Sequence, residues 1–279
     1  MKAYAFRVVN VFAETRLAGN PLCVFENADG IDDATMQALA LQFNLSETTF
    51  VLPSSRASAR VRIFTPTFAM AFAGHPTLGS AHVVRALGGA GDALTLEMQA
   101  GIIPVEADGD VWTFLAKAAS YRPPEAGRSD LAAMLGLSER AIGADPMWID
   151  TGSEQLLIPV ASVDDVERTQ PDASRMQEHA RNGASRAMTY VFARSEGHVL
   201  ARFFFLKHGA IIEDPGTGSA CANLGGWLIA TGATLPQRLV IDQGRAVGRA
   251  CRLGLEVTVD RQIRVSGRVI ELARGVVTL

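Results

Sequence analysis

Two residues that can exchange protons, His75 and Asp214, stand directly before prolines in two similar motifs rich in small residues, GHPTLGS and DPGTGS. They are separated by 139 positions (214 − 75 = 139). Taken alone, each is more typical of a buried structural histidine or of an aspartate that caps a helix. An imidazole and a carboxylate brought to one place could act as an acid and a base. The two motifs therefore predict an acid/base pair.

Both motifs also have the composition of a helix start. Proline suits the first helical turn, and small residues allow a ligand to approach backbone N–H groups that have no partner within the helix. These N–H groups carry partial positive charge and bind anions. We expect the two helix starts to converge on one anionic ligand between two lobes, with simple helix capping as the alternative.

The elements around these motifs come from an internal duplication. Three stretches repeat in the same order, the first two at a shift of 140 and the third at 139, and such collinear repeats indicate two related lobes. The matched residues are Thr49, Val51, Ser55, Arg62 and Phe64 with Thr189, Val191, Ser195, Arg202 and Phe204, then Pro76, Gly79, Ser80 and Ala81 with Pro215, Gly218, Ser219 and Ala220. On this alignment His75 is equivalent to Asp214.

Each half is predicted to have many strands around one central helix, which favours an α+β fold over a doubly wound parallel sheet. In the second half one continuous strand region is predicted at 147–160. The stretch 119–129 is rich in proline, glycine and charge and is predicted to be a linker. We expect an N-terminal lobe at 1–118 and a C-terminal lobe at 130–264, with a last strand at 265–279 that packs back on the first lobe.

The composition excludes several classes of protein. With 26 basic and 29 acidic residues, the net charge of −3 provides no basic field for nucleic acid or an anionic membrane. No apolar run approaches the roughly 20 residues that a membrane helix needs. Three cysteines without a CxxC spacing predict neither a disulfide framework nor a zinc site. The sequence predicts a cytoplasmic protein of two domains with no metal.

The motifs together resemble the PhzF-like isomerases of phenazine biosynthesis. The resemblance rests on NLSETTFV (44–51), FAGHPTLGSA (72–81) and EDPGTGSA (213–220), with GNP at 19–21 and QG followed by GR within 243–249. It covers nearly the whole chain. It implies the diaminopimelate-epimerase-type fold, in which two pseudo-symmetric lobes each wrap a curved sheet around a central helix.

The resemblance also implies a cofactor-independent isomerase that moves a proton on a small carboxylate-bearing substrate. Glu47 would be the general acid/base, assisted by His75 and Asp214. By the internal repeat, the residue equivalent to Glu47 in the second half is Ala187. This role needs a carboxylate in apolar surroundings, such as Leu45, Phe50 and Val51 provide. The substrate-binding positions implied by the resemblance are Ser46, Gly74, Gly218 and Ser219. A homodimer is implied as well, whereas Asn20 is predicted to be structural because Gly-Asn-Pro is a turn signal.

Other functions stay open beside this one. An epimerase or racemase of an amino-acid-like substrate would use the same fold, but relatives of that kind place a cysteine near each helix start, where this chain has His75 and Asp214. The family's acidic residue before Gly-His-Pro is absent, with Ala69 near that place. A catalytically idle binding protein is a further alternative. Nucleotide-binding and pyridoxal-phosphate enzymes are disfavoured, because their motifs are missing.

Overall fold

The structure is a computed structural model that describes residues 1–88 and 91–279. The chain divides into two compact units. The first unit comprises Met1–Leu115 and Ser266–Leu279, and the second comprises Ala116–Val265.

The first unit is built mainly of strands, because its sequence alternates buried apolar residues with polar ones. Its strands are β1 (Ala3–Val11), β2 (Asn20–Phe25), β3 (Glu47–Leu52), β4 (Ala59–Phe64), β5 (Ala69–Met70), β6 (Ala93–Met98), β7 (Gly101–Asp108) and β8 (Val111–Leu115). Its helices are α1 (Asp33–Phe43) and α2 (Gly74–Ala86). The long last strand, β17 (Ile263–Thr278), begins in the second unit and continues into the first.

Eight of the described strands close into a ring in the first unit. Strand β1 pairs antiparallel with β2, β2 parallel with β3, β3 antiparallel with β4 and β4 parallel with β6. The antiparallel run β6, β7 and β8 follows, and β17 completes the ring by pairing with both β8 and β1. A closed sheet has no free edge that could pair with another chain.

Helix α2 fills this ring and is buried on all sides. Ten of its thirteen residues are buried, as expected for a helix without a polar face. Gly79 explains how closely it packs, because a Cβ atom at this position would lie 2.6 Å from Leu22 Cδ2 and 3.1 Å from methyl groups of Val9 and Val11. The strands therefore hold α2, and the residues of its first turn, in a fixed place.

The outer face of the sheet is covered by α1. Asp32 caps this helix by accepting a hydrogen bond from the Thr35 N–H at 2.7 Å. Its apolar residues pack against an aromatic cluster in which the Phe25 and Phe50 rings are stacked with centroids 4.9 Å apart. Strand β3 thus lies between this cluster and α2, which fixes its register.

The second unit has the same kinds of elements. Its strands are β9 (Ser120–Arg122), β10 (Met147–Asp150), β11 (Gln155–Pro159), β12 (Met188–Ser195), β13 (His198–Lys207), β14 (Ala210–Asp214), β15 (Gln237–Gln243) and β16 (Cys251–Val257), followed by the first residues of β17. Its helices are α3 (Arg128–Leu135), α4 (Val163–Arg168), α5 (Ala173–His179) and α6 (Gly218–Ala230).

The order of strand pairings repeats that of the first unit. Strand β10 pairs antiparallel with β11, β11 parallel with β12, β12 antiparallel with β13, and β13 parallel with β15. Helix α6 takes the place of α2, with nine of its thirteen residues buried. This repetition confirms the predicted α+β fold of two pseudo-symmetric lobes, each with a sheet wrapped around a central helix.

Three stretches differ from what the sequence predicts. The single strand region at 147–160 is two strands, because the chain turns at 151–154, where Gly152 has a φ of +132°. The stretch 119–129 contains β9, which pairs with β10, and the first residues of α3, and it is grouped with the second unit. The short helix α4 has no counterpart among the predicted elements.

No helix among residues 1–88 and 91–279 is both long enough and apolar enough to span a membrane.

Candidate active site

The first turn of α2 carries His75 as its second residue, and it begins without a side-chain cap. The N-cap residue Ala73 has an extended backbone, and its carbonyl accepts from the Thr77 N–H at 3.1 Å and the Thr77 hydroxyl at 2.7 Å. The N–H groups of Gly74 and His75 come before this first helical hydrogen bond. Their partial positive charge makes this end of the helix suitable for a negative group.

The His75 imidazole is buried, with only 5% of the residue exposed. Burial lowers its pKa to about 3, and a hydrogen bond to the Pro21 carbonyl opposes this shift only in part. The Asn20 Nδ2 atom lies 3.4 Å from His75 Nδ1. His75 is therefore a neutral imidazole near pH 7, oriented by the turn at the start of β2.

Glu47 is the first residue of β3 and stands opposite Leu22 of β2 in the parallel register. Because side chains alternate along a strand, Glu47 and Thr49 point to the same face. Thr49 Oγ1 accepts a hydrogen bond from Ser80 of α2 at 2.9 Å, so this face is turned toward the central helix. The Glu47 side chain is 15% exposed, which leaves its carboxylate close to the buried first turn of α2.

Glu47 and His75 meet at this place. The Glu47 Oε2 atom lies 3.3 Å from His75 Nε2, and the contact does not have hydrogen-bond geometry. Catalytic hydrogen bonds are often long or poorly aligned before a substrate binds, so this separation is compatible with proton exchange between the two groups. The first unit thus brings the predicted acid/base residue Glu47 together with His75, although the spacing arguments alone had paired His75 with Asp214.

Asp214 is the last residue of β14, where the second unit's chain turns toward α6. The Thr217 hydroxyl donates a hydrogen bond to Asp214 Oδ2. Gln243, at the end of β15, donates to the Asp214 carbonyl at 2.8 Å and to Thr217 Oγ1 at 3.0 Å. Gly244 allows this approach, since a Cβ atom there would lie 2.3 Å from the Pro215 carbonyl oxygen. The turn that carries Asp214 is thus clamped by β15.

Gly218 and Ser219 are the first two residues of α6. The first hydrogen bond of this helix joins the Cys221 N–H to the Thr217 carbonyl, so the N–H groups of Gly218 and Ser219 have no partner within the helix. The Ser219 hydroxyl accepts from Gln155 Nε2 at 2.9 Å. This helix end carries the same partial positive charge as the start of α2.

The structure corrects the predicted equivalence of His75 and Asp214. The two central helices begin at Gly74 and Gly218, a shift of 144 (218 − 74 = 144) instead of 139. The difference arises in the preceding hairpins, where Phe64 pairs with Ala69 but Phe204 pairs with Glu213, four residues further along the chain. The counterpart of His75 in the second unit is therefore Ser219.

The counterpart of Glu47 also differs from the prediction by one residue. Thr48 pairs with Phe64 in the first unit, and Thr189 pairs with Phe204 in the second. This register places Met188, and not Ala187, at the position equivalent to Glu47. The consequence is unchanged, because either residue is apolar and only the first unit has a carboxylate here.

The remaining predicted residues are placed as follows. Ser46 is exposed and directly precedes Glu47. Ala69, where the family resemblance suggests an acidic residue, is exposed in the short strand β5. Within their own units, Glu47, Gly74 and His75 lie at one helix start, and Asp214, Gly218 and Ser219 lie at the other.

Sequence reasoning missed three amide side chains near these helix starts. Gln243 had entered only as part of a motif, and Gln155 and Asn223 had no role assigned, yet all three are buried. Asn20 was predicted to be structural, and it contacts His75. A polar amide that falls on an otherwise apolar strand or helix was the available signal, because such groups are buried only where they find hydrogen-bond partners.

Thiol and metal chemistry receive no support from the described residues. Cys23, Cys221 and Cys251 are all buried without a disulfide, and burial raises the pKa of each thiol. Among residues 1–88 and 91–279, no group of three histidine, cysteine or acidic side chains is arranged to hold a metal ion.

The chain is similar to known proteins over nearly its full length. The family model described as phenazine biosynthesis-like protein matches residues 9–275. An uncharacterized isomerase of Pasteurella multocida is 40% identical over 275 residues, covering 98% of this chain and 93% of the relative. The trans-2,3-dihydro-3-hydroxyanthranilate isomerase of Pseudomonas fluorescens is 32% identical, covering 98% of both chains.

A solved structure agrees with this assignment. The crystal structure of a Bacillus anthracis phenazine biosynthesis protein of the PhzF family superposes with a TM-score of 0.89 and 25% identity, covering 100% of both chains. The fold, the family model and the relatives lead to the same conclusion. The chain is an enzyme of the isomerase class and belongs to the family of phenazine biosynthesis-like proteins.

Proposed function

We propose that this isomerase moves a proton from one carbon to another on a small carboxylate-bearing substrate, without a cofactor. The observation that carries the proposal is the contact of 3.3 Å between Glu47 Oε2 and His75 Nε2 at the uncapped start of α2. It joins a carboxylate, which can accept a proton from carbon, to a neutral imidazole, which can hold or return one.

In the proposed mechanism Glu47 removes the proton from carbon and returns a proton at a second carbon of the conjugated system. The bond electrons move through the conjugated system, so the substrate and product have the same atoms and charge. Gly74 and His75 offer backbone N–H groups to an oxygen on which negative charge develops. Neutral His75 serves this step better than a charged one would, because an imidazolium next to Glu47 would favour the inactive, hydrogen-bonded ion pair.

His75 can hold the proton in either of two tautomers. The single ring proton lies on Nδ1 when it is donated to the Pro21 carbonyl, and on Nε2 when Nδ1 accepts from Asn20 Nδ2. In the second tautomer the Nε2–H faces the Glu47 carboxylate and orients it for proton transfer. We assign His75 this assisting role.

We assign substrate binding to Asp214, Gly218, Ser219 and Ser46. The N–H groups of Gly218 and Ser219 suit a carboxylate, and the Asp214 carboxylate, held by Thr217, suits an amino or hydroxyl hydrogen. The relative from Pseudomonas fluorescens acts, by its name, on trans-2,3-dihydro-3-hydroxyanthranilate, which carries groups of each kind. We propose a substrate of this class for the present chain.

The test is proton exchange in heavy water. The wild-type protein is incubated with trans-2,3-dihydro-3-hydroxyanthranilate, and deuterium on carbon is followed by NMR and mass spectrometry. Wild type should convert the substrate and place deuterium at the carbon that gains the proton. Glu47→Gln should lose about 1000-fold in rate, the middle of the range of about 100- to 10,000-fold that one acid/base group contributes. Glu97→Gln, which changes a carboxylate of similar exposure that pairs with Ser54 and Arg56, is the matched control and should exchange like wild type.

The same experiment separates the competing functions. An epimerase would place deuterium on the carbon that loses the proton and would invert its configuration. A binding protein without activity would give no exchange with any substrate of this class. Equal exchange by wild type and Glu47→Gln would remove Glu47 from the mechanism.

Two broader expectations from the sequence remain proposals. The homodimer can be tested by sedimentation velocity over a range of protein concentrations. The cytoplasmic location can be tested by fractionation of the cells that produce the protein.

A further inference from the structure

A chain of buried amides in the second unit ends on Ser219, and it begins at Asn223 of α6. Asn223 Oδ1 accepts from the Thr151 N–H at 2.9 Å, and Asn223 Nδ2 donates to the Ser153 carbonyl at 2.9 Å. Both partners are backbone groups with a fixed role. Turning the Asn223 amide by 180° would place donor against donor and acceptor against acceptor, so its orientation is settled by the backbone.

Asn223 in turn orients Gln155, the first residue of β11. The second hydrogen of Asn223 Nδ2 is donated to Gln155 Oε1 at 2.8 Å. Gln155 must therefore present its Nε2 group, a pure donor, to Ser219 Oγ at 2.9 Å. Gln155 is 2% exposed and Asn223 is fully buried, so water does not compete for these positions.

The Ser219 hydroxyl then has a defined polarity. Its oxygen accepts from Gln155, and its own hydrogen points away from Gln155. Ser219 is partly exposed at the start of α6, beside backbone N–H groups that are donors as well. All of these groups offer hydrogens to a ligand, and such a surface fits a group that only accepts, as a carboxylate does.

We propose that Gln155, held by Asn223, is a positioning residue that fixes the Ser219 hydroxyl as a hydrogen-bond donor to the substrate carboxylate. This inference rests on the proposed function, in which Ser219 binds the carboxylate. It adds the reason why the second helix start selects a carboxylate over a neutral amide, which could not accept from every donor at once.

The first unit has the same arrangement with different residues. Asn20 is the first residue of β2 and contacts His75, the second residue of α2, while Gln155 is the first residue of β11 and contacts Ser219, the second residue of α6. The duplication has thus kept an amide side chain behind the second residue of each central helix. This recurrence supports a positioning role that is common to both units.

The probes for the test are 3-hydroxyanthranilate and its carboxamide, whose affinities are measured by calorimetry. Wild type should prefer the carboxylate by about tenfold or more, as the loss of a charge-assisted hydrogen bond predicts. Gln155→Met should reduce that preference by about threefold, because the hydroxyl hydrogen is then free to occupy three staggered positions. Ser219→Ala should remove most of the preference, and adding Gln155→Met to it should change nothing further.

Kinetics distinguish positioning from a loss of structure. Gln155→Met should raise KM for the carboxylate substrate and leave kcat within about twofold, because a binding contact equal in ground and transition states affects KM alone. Gln237→Met, which changes a glutamine that donates to the Thr234 carbonyl, is the matched control and should match wild type. If Gln155→Met does not fold, Gln155→Glu replaces it. The glutamate keeps an acceptor for Asn223 Nδ2 but offers Ser219 an acceptor in place of a donor, so the preference for the carboxylate probe should fall further.

Each outcome decides a different statement. If wild type does not prefer the carboxylate, the assignment of Ser219 to a carboxylate in the proposed function is wrong, and this inference is wrong with it. If wild type prefers the carboxylate but Gln155→Met weakens both probes equally, only the positioning role is wrong. The same holds if Gln155→Met has its full effect in the Ser219→Ala protein.

Discussion

The Oε2 atom of Glu47 lies 3.3 Å from the Nε2 atom of His75, so two residues 28 positions apart (75 − 47 = 28) meet where β3 and α2 both begin. The parallel register of β2 and β3 fixes the position of Glu47. Asn20 and the Pro21 carbonyl contact the His75 ring and fix its orientation. The positions of both groups are therefore fixed by the strands and turn around them.

The first prediction concerns the ionisation of His75. Burial lowers its pKa from 6.5 to about 3, so the His75 ring should show no titration between pH 5 and 8 in NMR spectra of the native protein. The ring signals can be assigned by comparison with His75→Gln. A titration of the His75 signals with a midpoint near 6.5 would show that the imidazole is open to water.

The same shift predicts how stability depends on pH. Between about pH 3 and 6.5 the unfolded chain binds a proton at His75 that the folded protein does not, so stability falls as the pH falls through this window. The slope from this group is at most about 1.4 kcal/mol per pH unit. Urea unfolding at several pH values should give a smaller slope for His75→Gln than for wild type.

The second prediction concerns the packing of α2 inside its ring of strands. Gly79→Ala would put a methyl group 2.6 Å from Leu22 Cδ2, and overpacking of this kind costs about 1–3 kcal/mol of unfolding free energy. Gly91→Ala is the matched control, because a Cβ atom at Gly91 meets nothing within 4 Å. Urea unfolding measures both. A Gly79→Ala protein as stable as wild type would mean that the ring adapts easily around the helix.

The fold was predictable from the sequence because strand patterns and the duplication are local signals. The repeated Arg-x-Phe lies in β4 and β13, which occupy the same place in the strand order of the two units. The shift at the helix starts was wrong, since Pro76 lies within α2 and Pro215 lies before α6. The sequence alignment followed the similar residues around the two prolines and ignored the different lengths of the preceding hairpins. Hairpin length depends on strand pairing, which no local pattern shows.

The candidate site was predictable only in part for a similar reason. Glu47, His75 and Asp214 stand in recognisable motifs, but what orients them does not. Gln155 contacts Ser219 across 64 residues of sequence, and Asn223 contacts Thr151 across 72. The sequence can mark such amides as polar residues on apolar elements, but their partners are chosen by tertiary packing, which one sequence does not show.

The third prediction concerns the thiols. Because Cys23, Cys221 and Cys251 are buried and their thiol pKa values are raised, the native protein should react slowly with a thiol reagent such as dithionitrobenzoate at pH 8. Isomerase activity should survive the treatment. The denatured protein is the control, and its absorbance should correspond to three reacted thiols per chain. Rapid modification with loss of activity would favour thiol chemistry of the racemase kind.

The fourth prediction compares two equivalent arginines, one in each unit. Arg202 of β13 pairs with Glu213 at 2.7 Å and donates to the Thr169 carbonyl at 2.8 Å, and the two charged side chains are 15% and 9% exposed. Arg62 of β4 pairs at 2.7 Å with Asp33, the first residue of α1, whose side chain is 67% exposed. The duplication thus supplies two equivalent arginines, one with a buried and one with an exposed carboxylate partner.

Arg202→Met should lower the unfolding free energy by about 3–5 kcal/mol, since it leaves the buried Glu213 carboxylate without its partner. Arg62→Met should cost at most about 1 kcal/mol, the usual range for a pair that water screens. Chemical unfolding of both variants beside wild type measures the difference. Adding Glu213→Gln to Arg202→Met should recover part of the loss, because the unpaired charge is then gone. Equal losses for the two arginines, or no recovery in the double variant, would mean that the packing of the arginine stems and not the burial of charge sets their contribution.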